Sequence, residues 1–259
     1  MIELFGHAIG PDDLVVAVIT AAAFFAGALV KGVTGLGMPL VAIALIGNVL
    51  PLPVAVSLIV VPAFATNVQQ VWDTRRARPP LRRLAPILLG TIAGTILGTR
   101  LVTGVDPQVM QIVLGCIILG FVAVSLVDLR FRVSPRIEPP ASLAAGVTTG
   151  LVGGMTGIFG PVLAIYTLSL ELSKDAFIWM MGVCLLVSTM TLGGSLAALG
   201  TFGPDRFAAS AALLVPAWIG FRCGAFLRGR IGQRTFRNGV LAILLLAGLR
   251  ALAKGLGYT

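Results

Sequence analysis

Long apolar stretches closed by short polar or basic segments set the pattern of this chain. They cover residues 14–30, 34–50, 53–71, 84–102 and 108–129, and then 141–155, 157–171, 175–199, 205–227 and 236–253. Runs of about 15 to 25 apolar residues suit helices crossing a hydrocarbon core of about 30 Å. They lack the alternation of a membrane β-barrel. The pattern predicts an all-α membrane protein, a polytopic helical bundle. Two places interrupt it in the same way. Gly32-Val33-Thr34-Gly35-Leu36-Gly37-Met38-Pro39 is answered by Gly154-Met155-Thr156-Gly157-Ile158-Phe159-Gly160-Pro161, so that Gly32, Thr34, Gly35 and Pro39 meet Gly154, Thr156, Gly157 and Pro161 at one constant spacing. Gly and Pro weaken a helix and free backbone N–H and C=O groups. At membrane depth such breaks persist only where they are buried in protein or line a cavity.

The basic residues order these stretches in the membrane. Residues 1–13 carry Glu3, Asp12 and Asp13 but no Lys or Arg, whereas 73–83 carries Arg75, Arg76, Arg78, Arg82 and Arg83. The positive-inside rule then puts the N-terminus outside and the Arg segment in the cytoplasm. Arg130, Arg132 and Arg136 mark a second cytoplasmic linker, ending at Pro139-Pro140, that divides the chain into a first repeat, 1–130, and a second, 131–259. In the second repeat the basic loop, Arg228 to Arg237, stands where the first has the Thr103–Pro107 turn, which has no basic residue. The charge bias has changed sides, the signature of two inverted-topology repeats, each with a broken or re-entrant helix pair. Whether 34–50 and 157–171 cross fully or re-enter is left open by the pattern. A second echo keeps register: Pro86, Gly90, Gly94 and Arg100 fall opposite Pro216, Gly220, Gly224 and Arg230. Gly90, Gly94 and Gly98 form a smooth strip for close helix approach, and Arg100 and Arg230 read as interfacial anchors.

At 57% hydrophobic and 11% charged residues, a soluble domain is excluded. The formal charge of +9 lies largely in short loops between spans, so it reports topology and not nucleic-acid binding. Cys116, Cys184 and Cys223 have no paired spacing and read as small apolar filler. His7, the single histidine, stands away from both breaks, and no nucleophile set, metal cluster or nucleotide loop is present, so neither an enzyme nor a cofactor or metal is expected. Met1–His7 has no basic n-region, which predicts no removable signal peptide.

Candidate chemistry centres on the doubled motif. If Thr34 and Thr156 begin half-helices meeting near the midplane, their hydroxyls and the freed N–H groups beside Gly35 and Gly157 converge on one small anion. Arg222, well inside 205–227, and Lys31, next to the first motif, are the cations able to supply charge, since a cation at that depth costs about 2.5 to 3.5 kcal/mol unless it faces a cavity or partner. Asn67, Gln69 and Gln70 need the bundle interior or the interface; Asn67 and Gln70 join the candidate site. Ser188, Thr189 and Thr191 hold a comparable place in the second repeat. Asp106, Asp128, Glu171, Lys174 and Asp175 read as solvated turns.

On Gly32 to Pro39, on Gly150-Leu151-Val152-Gly153-Gly154-Met155-Thr156-Gly157-Ile158-Phe159-Gly160-Pro161, and on the Gly-rich helix with an Arg-bearing turn in each half, the chain resembles the TauE/SafE family of sulfite and organosulfonate exporters. It departs from the glycine-rich pattern at Lys31, Met38 and Phe159. The resemblance implies a bacterial inner-membrane permease that exports sulfite, sulfoacetate or related organosulfonates, with alternating access expected from the repeats. The alternatives are an anion channel or an accessory subunit without transport of its own. Expected partners are a small anion and the lipid bilayer, with a homodimer left open.

Overall fold

A computed structural model describes residues 11–35, 37–47, 49–77, 79, 83–102, 105–126, 133–134, 136–170, 172–227 and 233–258. Among these, every regular element is helical: α1 (Pro11–Thr34), α2 (Met38–Ile46), α3 (Leu52–Asp73), α4 (Ala85–Leu101), α5 (Pro107–Leu126), α6 (Glu138–Thr156), α7 (Gly160–Leu168), α8 (Lys174–Ala198), α9 (Pro204–Ala212), α10 (Leu214–Leu227) and α11 (Gln233–Gly255), with a 3₁₀ turn at Arg75–Ala77. Six described stretches are long and apolar enough to cross a membrane, α9 and α10 together making one of them. The expected all-α, multi-pass membrane architecture is what the structure has.

Helices α2 and α7 have nine residues each, about 13 Å of helix and less than half of a hydrocarbon core. They are half-length helices. Helix α2 folds back along α1, since Gly27 of α1 lies against the Met38 carbonyl and the Ala42 backbone and Gly37 lies against Val30. The breaks fall later than the sequence suggests. Thr34 and Thr156 are the last residues of α1 and α6; the half-helices start at Met38 and Gly160. Gly35 (φ 85°), Gly37 (φ 104°) and Gly157 (φ 74°) turn the chain through the left-handed region, which a side chain disfavours, so the glycines and not the threonines make the reversals. Pro39 and Pro161 then sit in the first turn, where a missing N–H costs nothing.

The halves pack reciprocally. Helix α4 lies on α6 and α10 on α1, α3 faces α8, and α5 faces α11. The predicted glycine strip is the α4–α6 seam: Gly90, Gly94 and Gly98 interleave with Gly146, Gly150 and Gly154, and a Cβ at Gly150 would lie 2.6 Å from the Thr95 nitrogen. The two seams differ in length, because α10 offers only Gly220 and Gly224 to α1. At the start of α6, Glu138 receives Arg83 through Nε and, at 2.8 Å, through Nη2. That bonding raises the Arg83 guanidinium above its ordinary value. Asp106 takes the Gln108 N–H at 2.6 Å and Ser173 the Ala176 N–H at 3.4 Å, so these turn residues cap α5 and α8. His7, Asp128, Glu171, Arg228 and Arg230 lie outside the described residues.

Helix α3 carries Pro62 in its interior. Proline has no N–H for the Leu58 carbonyl one turn back. Ser210 of α9 supplies the missing donor: its Oγ donates to Leu58 O at 2.7 Å and accepts from the Val61 N–H at 3.1 Å. The other half thus stabilises the irregularity in α3.

Candidate functional site

Lys31 stands in the last turn of α1, beside Gly32, whose lack of a side chain lets α1 press onto α10: a Cβ there would be 2.8 Å from the Gly224 Cα. That approach places the Phe221 ring centroid 6.0 Å from Lys31 Nζ, within cation–π reach. Lys31 is only 2% exposed. Its Nζ donates to Thr66 Oγ1 at 2.9 Å and to Asn67 Oδ1, both on α3. Thr66 in turn donates to Pro62 O at 2.8 Å. Asn67 Nδ2 donates to Thr189 Oγ1 on α8 at 3.3 Å, and Thr189 donates to Leu185 O at 2.7 Å. An ammonium has three donors. Two are engaged, and among the described residues no carboxylate reaches the third.

Lys31, Asn67 and Thr189 border a cavity between the two breaks. Gly37, Pro39 and Leu40 line it from the first motif, and Gly157 through Pro161 from the second; α3 contributes Ile59, Ala63 and Asn67, α8 contributes Leu185, Thr189 and Leu192, and Lys31 completes it. The starts of α2 and α7 therefore both face the cavity. First-turn N–H groups have no partner within their own helix, and the helix dipole adds positive potential there. The cavity measures about 20 Å³, room for about one water molecule. A sulfonate needs more, so the cavity is too narrow for one in this conformation.

Of the eight residues singled out in the sequence, Lys31, Asn67 and Gly157 border the cavity. Gly35 is buried behind Lys31, its N–H donating to Lys31 O at 2.7 Å. Gln70 is buried one turn beyond Asn67; its Nε2 donates to Ile178 O at 2.9 Å while its Oε1 has no partner among the described residues. Thr156 is buried but bonds locally, donating to Val152 O at 2.7 Å and accepting from the Ile158 N–H at 3.3 Å. Thr34 is exposed and donates to Val30 O at 2.9 Å. Arg222 is exposed too, while its neighbour Phe221 is the residue turned toward Lys31. The structure does not bring Thr34 or Arg222 to the cavity. A hydroxyl at a helix C-terminus bonds back onto its own turn, and an Arg near the end of an apolar span can extend outward.

Thr66 and Phe221 escaped the sequence reading. Thr66 follows an internal proline, and Phe221 lies between two small-residue seam positions; neither type signals chemistry alone. Comparison with curated proteins and with solved structures gives no match. The family model described as "Sulfite exporter TauE/SafE" matches residues 19–251, a span that takes in Lys31, both breaks and both walls of the cavity. With most of its length matched, the chain belongs to the TauE/SafE family of sulfite exporters, membrane permeases for sulfur-containing anions.

Proposed function

We propose that this protein is a secondary transporter in the bacterial inner membrane that exports a small sulfur-containing anion, sulfite, sulfoacetate or a related organosulfonate, by alternating access. The binding site is the cavity between the two breaks. One observation carries the reading: a single buried ammonium with an unspent donor stands between two half-helix N-termini, an arrangement that favours negative charge. Lys31, Asn67 and the backbone around Gly37 and Gly157 hold the anion. Gln70 and Gly35 support them from behind.

The narrow cavity favours a carrier over a channel, because a site with room for about one water must widen before a larger anion enters. The reciprocal packing of α4 on α6 and α10 on α1 supports two inverted repeats rocking about the site. Basic residues at Arg75, Arg76 and Arg83 favour a cytoplasmic position for that loop and an external N-terminus.

The test is uptake of labelled sulfite by purified protein in proteoliposomes. A carrier gives flux that saturates with concentration. Flux that rises without saturating identifies a channel, and absence of flux and of sulfite binding identifies an accessory subunit.

A further inference from the structure

Among the described residues that line the cavity, Lys31 alone is charged. Its neighbours on each packed element are neutral: Thr66 and Asn67 on α3, Phe221 on α10, Met38 of α2 against Thr66, and Thr189 on α8 through Asn67. The other charged or titratable groups on those helices do not line the cavity. Asp73 ends α3, bonded by Gln69 at 2.7 Å; Lys174 and Asp175 stand in the first turn of α8; Cys184 of α8 is buried in the apolar core; Arg222 and Cys223 of α10 are exposed. The second half does not repeat the lysine. The spacing that pairs Thr34 with Thr156 pairs Lys31 with Gly153 and Gly37 with Phe159. The Phe159 ring lies directly against Gly153 and fills the volume a side chain there would need. The site therefore carries one nitrogen base and no fixed counter-charge.

We infer that Lys31 takes up one proton with each anion, so that the protein moves a small monoanion and H⁺ together without net charge. This rests on the cavity being the anion site. A lone ammonium and a lone anion are each costly in an apolar cavity, whereas together they offset one another. Binding of either then favours binding of the other. The hydrogen bonds accommodate both states. With Lys31 charged, Nζ donates to Thr66 and Asn67 as observed, and the Thr66 hydroxyl donates to Pro62 O. With Lys31 neutral, the same hydroxyl can turn and donate to the amine lone pair. On the side where the site opens, the Nζ lone pair takes a proton from water as the anion enters. On the other side that N–H bond breaks, the proton returns to water, the lone pair is restored and the anion leaves with all its own bonds intact.

The experiment uses wild-type proteoliposomes with a trapped pH dye and an imposed potassium potential. The probes are sulfite, which tests the anion site, and methanesulfonate, whose charge stays fixed over the working range. The expected result is saturable methanesulfonate flux that carries protons in the same direction and is insensitive to voltage. In Lys31→Gln the flux falls at least about tenfold. In Lys31→Arg, which cannot release its proton, the flux also falls, and what remains carries no protons and follows voltage. Both variants are checked for wild-type elution and melting, and the wild-type measurement stands without them. Methanesulfonate flux without protons, or driven by voltage, overturns proton coupling and leaves the anion site intact. Sulfite flux with no methanesulfonate flux also overturns it. Absence of flux and binding for both probes removes the anion site itself, and the coupling with it.

Discussion

Asn67 of α3 and Thr189 of α8 are counterparts at the spacing that relates the two breaks, and they are bonded to each other, Asn67 Nδ2 donating to Thr189 Oγ1 at 3.3 Å. A residue can meet its own counterpart only where the two halves abut. The lysine hangs from this junction, since Asn67 spends its Oδ1 on Lys31 and its amide on the opposite half. The junction therefore links the charge in the cavity to the contact between halves.

The two members of that pair should not be equivalent. Asn67→Ala removes an acceptor from the ammonium, an interaction of about 1.5 to 3 kcal/mol, and should weaken sulfite affinity about tenfold or more. Thr189→Val removes a longer, neutral bond worth about 1 kcal/mol or less and should weaken it no more than about fivefold. The concentration dependence of sulfite uptake checks both. An equal or larger effect at Thr189 would take Asn67 out of contact with the substrate's charge.

The motif threonines also separate. Thr34→Val alters an exposed hydroxyl that does not line the cavity and should leave sulfite affinity close to wild type. Thr156→Val leaves the buried Ile158 N–H without its acceptor and should destabilise the protein by about 1 to 3 kcal/mol. Sulfite uptake checks the first and thermal unfolding in detergent the second. A loss of affinity in Thr34→Val with unchanged melting would return that residue to the site.

How much of this could be read in the sequence follows from what each signal depends on. The spans, the doubled break and the glycine strip were legible because apolar length, Gly and Pro act locally. Lys31 and Asn67 stood out because charge and amides are costly in a membrane. Which cation faces inward was not legible. Lys31 and Arg222 both lie in apolar helices, and only the packing of Gly32 on Gly224, a contact between distant segments, sets Lys31 inside, while Arg222 is exposed. Thr34 and Thr156 end helices where the sequence suggested that they begin half-helices, and the reason is local. Left-handed φ at Gly35, Gly37 and Gly157 moved the helix starts to Met38 and Gly160, beyond the hydroxyls.

Close approach on α4 and α6 predicts a sharp contrast between two glycines. At Gly150 a Cβ would lie 2.6 Å from the Thr95 backbone nitrogen, so Gly150→Ala must push the helices apart. It should cost on the order of 1 to 3 kcal/mol or abolish folded protein, as overpacking does. Gly120 of α5 has nothing within 4 Å of that position, and Gly120→Ala should be neutral or stabilising by up to about 1 kcal/mol. Yield of monodisperse protein and its melting temperature distinguish the two. Equal tolerance would mean that the α4–α6 seam is looser than its geometry.

The proline kink gives the sharpest test of how the halves support each other. Ser210 donates to Leu58 O because Pro62 cannot, so Ser210→Ala should cost about 1 to 3 kcal/mol by leaving a buried carbonyl unpaired. Pro62→Ala restores the N–H that Leu58 needs within its own helix, and in that background removing the serine hydroxyl should cost well under half as much. A double-mutant cycle on melting temperature reads the coupling directly. Ile59 and Ala63 flank Pro62 and line the cavity, so straightening α3 should also slow sulfite uptake even where stability is regained. Additive effects in the cycle would show that Ser210 is not the kink's partner in the folded protein. Full uptake in Pro62→Ala would show that the shape of α3 does not govern access to the cavity.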